Sequence, residues 1–167
     1  MIATYQRRMI GHGALILLVA MVAGFGLLVS LLGGIELWPG QITPLALGGD
    51  GEAWRRAHLG GLLNGLLLLG IALAMPVLRF SPGPARQLCW MMIGTGWANT
   101  LFYWAAIVAP NRALSFAGNR FGESSLASII GLAPALLFVI VSMLATGLVV
   151  RQAFRTQARE PGGPADA

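Results

Sequence analysis

With 167 residues the chain suffices for one domain. Its residues are 56% hydrophobic and only 10% charged, against roughly 25% charged in a soluble protein, so the bilayer must act as its solvent. The formal charge of +5 rests on 11 Arg spread through loops and tails, which argues against nucleic acid, because tracking phosphates needs the charge gathered on one face.

Taken in chain order, a basic start with Arg7 and Arg8 leads into an apolar run from about Gly13 to Gly34. The run is too long for a signal peptide and lacks a small-residue cleavage site, so an uncleaved anchor is expected. Three further runs follow, from about His58 to Leu78, Gln87 to Ala109 and Ser125 to Val150. Each is long enough, as a helix, to cross roughly 30 Å of hydrocarbon. None contains Asp, Glu, Lys or Arg. The expected fold is therefore all-α, a polytopic membrane domain of four transmembrane helices over residues 1–155. Pro76 and Pro134 fall within spans, where neighbouring helices can satisfy the freed carbonyls. The connections carry Gly, Pro and charge, as in Ser81-Pro82-Gly83-Pro84 and the loop from Gln41 to Glu52. The polar tail, 156–167, is expected to be disordered.

Orientation follows from Arg near the spans. The N-terminus (Arg7, Arg8), the second connection (Arg79, Arg86) and the tail (Arg151, Arg155, Arg159) hold seven, and the other two connections hold four: Arg55, Arg56, Arg112 and Arg120. An even number of spans with this bias puts both termini on the cytoplasmic side of a bacterial inner membrane. The single Cys89 excludes an internal disulfide framework and any Cys-based zinc site.

Function must then come from polar groups inside the spans, which are costly there and often mark a site. These are His58, Asn64, Thr95, Asn99 and Tyr103. Thr95, Asn99 and Tyr103 recur every four residues and line one face of the third helix. At about 1.5 Å per residue, Asn64 lies roughly 9 Å below the outer surface, and Asn99 and Tyr103 lie about 18 and 24 Å above the inner one. All three belong to the outer half. Each has a plainer reading. Asn and Thr serve as interhelical glue, and Tyr103 suits an aromatic belt as Trp38 and Trp54 do. A His at a helix start suits a cap or an interface, and Cys89 suits packing. Gly61 and Gly65 allow a close helix contact beside Asn64.

Together the residues resemble bacterial styrene oxide isomerase. The resemblance is carried by Gly11-His12-Gly13, Leu32-Gly33-Gly34, Trp54 with Arg56-Ala57-His58, Leu63-Asn64-Gly65, Gly96-Trp97 with Asn99, Phe102-Tyr103, Asn111-Arg112, and Asn119 with Phe121-Gly122. It spans residues from about 9 to 140. It implies a Meinwald rearrangement of an aryl epoxide to an aldehyde, in a homotrimer with haem b at each subunit interface. By the same resemblance His58 is the axial iron ligand, Asn64 and Tyr103 hold the epoxide oxygen, and Asn99 matches a position near the cofactor. Thr95 departs from an acidic residue that stands there in some members, which weighs against proton handling at that position. Arg112 and Arg55 lie on the His58 side, where haem propionates or plain solvation would suit them equally.

The chemistry is coherent from below. A ferric haem with one His ligand keeps a position open for Lewis acidity, and a dry apolar pocket protects a developing cation from water. Two other classes compete: a haem-bearing electron-transfer subunit, and a haem-free scaffold or transporter subunit. The first needs two axial ligands, yet His12 and His58 are placed on opposite sides, roughly 30 Å apart. The second predicts a colourless protein.

Overall fold

The computed structural model describes residues 2–157. Four long helices carry the chain: α1 (Ile2–Leu32), α2 (Gly51–Ala74), α3 (Pro82–Val108) and α4 (Leu126–Gln157), with a hairpin of β1 (Gly34–Trp38) and β2 (Gln41–Pro44) between α1 and α2. The tail expected from 156 onward lies outside the described residues, apart from its first two positions, which continue α4.

Three of the four, α1, α2 and α4, are long and apolar enough to cross a membrane. Much of their apolar surface faces outward, as at Leu18, Met21 and Phe25 on α1 and at Leu137, Ile140 and Met143 on α4. Exposed apolar stripes of that extent belong against lipid. α3 falls short of the same apolarity, because Thr95, Asn99 and Tyr103 dilute it. It is also the most enclosed helix, with Leu88, Cys89, Met92, Ile93, Thr95, Gly96 and Ala98 all buried. A helix wrapped by its neighbours has less need to match hydrocarbon.

α1 begins far ahead of the expected Gly13. Ile2, Tyr5 and Met9 recur at helical spacing and pack onto the cluster of Phe80, Ala85, Leu88 and Cys89, so the helix persists beneath the two arginines. α2 also starts early. Asp50 caps it by accepting the Ala53 N–H at 2.7 Å, and His58 therefore stands two turns inside the helix, not at its start. α2 ends at Ala74, so Pro76 lies just beyond it, in the turn to α3. Proline has no N–H to extend the ladder, which ends the helix where an interior kink was expected. Pro134 does sit inside α4.

The hairpin replaces what the sequence presents as loop. Pro39 and Gly40 form its tip, with Gly40 at φ +79, the pairing that a type II turn demands. Glu36 accepts the Gly40 N–H at 2.6 Å and pins it.

Small residues set the helix seams. α1 meets α2 closely where Gly61 faces Ala20, Gly65 faces Leu17, and Gly24 faces His58. A side chain at these glycines would collide, so the seam depends on their absence of Cβ.

Candidate functional site

α2 and α3 run antiparallel, so four residues up one helix answer four residues down the other. Asn99 meets Asn64, donating from Nδ2 to Oδ1 at 3.1 Å. One turn along, the Tyr103 ring lies on Gly60, where any Cβ would strike it. Asn64 is itself oriented by donating to the Gly60 carbonyl at 2.8 Å. One amide N–H of each asparagine and the Asn99 Oδ1 remain unengaged among the described residues, as does the Tyr103 hydroxyl. Tyr103 lines a cleft of about 370 Å³ with Glu52, Arg55, Arg56, Leu59 and Gly60. The arrangement offers two kinds of neutral donor, a phenol and a carboxamide, on one seam between α2 and α3. Such donors suit an oxygen that gains negative charge.

Thr95, on the same face of α3, is buried and turns back to the Met91 carbonyl at 2.8 Å. This i−4 bond satisfies its hydroxyl within its own helix.

His58 points elsewhere. Its Nδ1 bonds the Ala20 carbonyl of α1 at 2.8 Å, and the ring covers Gly24, whose added Cβ would lie 2.7 Å from Nδ1. A carbonyl only accepts, so Nδ1 carries the proton and Nε2 keeps its lone pair free. Residues 58 and 60 project roughly 160° apart around α2 at 3.6 residues per turn. The imidazole and the Tyr103 ring thus flank α2 on opposite sides. The cap and interface readings of His58 give way to a side chain held in an interhelical seam.

His12 accepts from Trp97 Nε1 at 3.0 Å. Along α1 it lies about 18 Å from Gly24, at 1.5 Å per residue, so it is nearer His58 than the bilayer estimate. The shortfall arises because His58 sits two turns into α2. One iron still could not bind both.

Arg112 sits at φ +59 in the turn after α3. It donates to Asp50 Oδ2 at 2.8 Å and lies over Phe121 at 4.4 Å. Arg55 is likewise taken, by Glu52. The turn is held by Asn111, which is fully buried. Its Nδ2 donates to the Ser115 and Ala117 carbonyls, and its Oδ1 accepts from Ala113 N–H and Ser128 Oγ–H. Every hydrogen-bonding site of that amide is filled. Asn111→Ala strands several partners, each worth about 1–3 kcal/mol when left unpaired and buried, and the thermal unfolding midpoint in detergent should fall clearly. An unchanged midpoint would mean that water replaces the amide.

Sequence reasoning missed Gly60, the platform of Tyr103, and the state of Arg56, whose Nε and Nη2 are buried without a partner. The signal for both was spacing: 56, 60 and 64 share one face of α2.

Residues 5–154 match the family model described as styrene oxide isomerase. The chain is also similar to the styrene-oxide isomerase of Pseudomonas fluorescens, 37% identical over 156 residues that cover 93% of this chain and 92% of that protein.

Proposed function

This chain belongs to the styrene oxide isomerase family and is an isomerase. From that premise we propose that it turns an aryl epoxide of the styrene oxide type into the aldehyde by Meinwald rearrangement, with ferric haem b as cofactor. The observation that carries the reading is the Asn64–Asn99 pair beside a Tyr103 hydroxyl left free at a cleft.

The residues fit a haem. Among the described residues no three His, Cys, Asp or Glu gather as a metal cluster. A metal held by this lone imidazole would have to bring its other ligands with it, as the iron of a haem would. His58 offers a free Nε2, and its Nδ1–H is fixed on a backbone carbonyl, the support that metal-bound histidines usually have. When bound, the haem supplies a Lewis acid. The rest falls to the chain. Tyr103 and Asn64 donate to the epoxide oxygen and stabilise the charge that gathers there as the benzylic carbon–oxygen bond breaks. Hydrogen then moves with its electron pair from the adjacent carbon, and the carbonyl forms with no atom gained or lost. Asn99 holds Asn64 in place. Water must be kept from the cation, which it would otherwise trap as a diol, and that exclusion falls to the subunit interface that closes over the cleft.

His58 and Tyr103 lie on opposite flanks of α2, so a haem touched by both needs two copies of the chain. That supports an oligomer with a haem at each subunit interface, a homotrimer by the family resemblance. The enclosure of α3 by α1, α2 and α4 supports it as a fourth span, within a lipid bilayer through which an apolar epoxide arrives. We place the four-span domain in the inner membrane with both termini cytoplasmic. Reporter fusions at the C-terminus and at Gly48-Gly49 should give opposite signals, and matching signals would remove one span.

The activity test is direct. Purified protein given styrene oxide, with no added redox cofactor, should yield phenylacetaldehyde. A diol product, or none, would end this reading.

A further inference from the structure

Four arginines occupy the end of the bundle where α2 begins and α3 ends, and three of them are engaged. Arg55 places Nε and Nη2 on Glu52 Oε2 at 2.9 and 2.6 Å. Arg112 is bound to Asp50, and Arg120 lies over Phe121 at 4.7 Å. Arg56 differs. Its Nε and Nη2 are buried and meet no hydrogen-bond partner among the described residues. Leaving a guanidinium edge out of water and unpaired is costly. A natural partner stands four residues earlier, since Glu52 to Arg56 is the favoured helix spacing, yet Glu52 holds Arg55 instead. Nε and Nη2 form the edge whose parallel N–H groups donate to both oxygens of a carboxylate. Arg56 lines the cleft shared with Tyr103, Leu59 and Gly60, and a turn of its long side chain into that cleft would bring the buried edge to a ligand there.

We propose that Arg56 is the clamp for a carboxylate of the haem, taking a propionate side-on in the cleft beside Tyr103. This rests on the haem reading above and adds an orientation to it. The haem carboxylates point toward the start of α2, and the clamp stands one helical turn, about 5.4 Å, beyond Gly60. Arg56 lies on the Tyr103 flank of α2, away from His58. One copy therefore supplies the iron ligand, and its neighbour supplies both the oxygen donors and the clamp. Arg112, already held by Asp50, is left to brace the turn after α3.

The test follows haem retention in the intact assembly. Purified wild type, Arg56→Gln and Arg56→Lys are loaded with haem b or with its dimethyl ester, and transfer to apomyoglobin is timed from the Soret band. Arg56→Gln should release haem b at least tenfold faster than wild type. Arg56→Lys should fall between, because it keeps the charge and loses the fork. With the dimethyl ester all three should release at similar rates, since no carboxylate remains to hold. Equal acceleration with both haems would assign Arg56 to packing or to Glu52. Acceleration that appears only in phosphatidylglycerol nanodiscs, and not in lipid-free detergent, would assign it to a lipid phosphate. Either result overturns the clamp, as does an unchanged rate with haem b. A colourless wild type would instead sink the haem reading itself, and the two failures are thereby told apart.

Discussion

Tyr103→Phe should lower epoxide-to-aldehyde turnover per haem by about a hundred- to thousandfold, the loss of about 2.7–4 kcal/mol that follows removal of one donor to a charged oxygen. The change deletes only the hydroxyl. Its ring rests on Gly60 and beside Phe102 at 5.5 Å, and neither contact uses the oxygen. Haem content and oligomer size should therefore match wild type. Asn64→Ala should act in the same direction, but it also frees Asn99 and the Gly60 carbonyl, so haem occupancy has to be measured beside it. Gly60→Ala offers a control of another kind. Its methyl would push the Tyr103 ring aside and should cut turnover while leaving the hydroxyl present. Reducing the iron lowers its positive charge and should suppress isomerisation in wild type and variants alike. Full activity in Tyr103→Phe would return that residue to the aromatic belt, and full activity with ferrous iron would remove Lewis acidity from the mechanism.

The helices were legible because their apolar runs are long and bounded by Gly, Pro and charge. Their ends were not, and the reasons are local. Arg7 and Arg8 look like a flank, yet Ile2, Tyr5 and Met9 give the same stretch a buried face. Glu52, Arg55 and Arg56 look like a loop, yet Asp50 caps the helix that contains them. Asp50 is a usual N-cap residue type, but the cluster of charge after it resembles a loop as much as a first turn. The hairpin announced itself only through Pro39-Gly40.

Counting residues put Asn64 and Asn99 at similar depth, and the structure joins them by a hydrogen bond. Antiparallel packing makes such counting reliable, because rise per residue is the same in both helices. The direction of His58 was beyond counting. It depends on a notch at Gly24 and a carbonyl at Ala20, both supplied by a helix more than 30 residues earlier. The unpaired edge of Arg56 was hidden for a similar reason. Sequence spacing favours a Glu52–Arg56 pair, and only the fold reveals that Arg55 has taken the carboxylate.

His58→Ala should abolish the Soret band of the purified protein or shift it strongly, while His12→Ala and Cys89→Ala should keep it. The contrast rests on where each side chain is committed. Cys89 is fully buried among Met9, Leu88 and Met92, with Sγ turned to the Tyr5 carbonyl at 3.5 Å. His12 is held by Trp97 some 18 Å along α1 from the His58 seam, at about 1.5 Å per residue. Only His58 combines a free Nε2 with a fixed Nδ1. Imidazole supplied to the His58→Ala protein should restore much of the band, because the missing ring leaves a space lined by Gly24. A structural collapse would not be rescued in this way. Gly24→Ala should lower haem occupancy with the ligand still present, since its methyl would lie 2.7 Å from the His58 Nδ1 and Cε1. If Cys89→Ala removes the band while His58→Ala keeps it, the axial ligand is the thiolate, and the site must be rebuilt around the opposite end of α3.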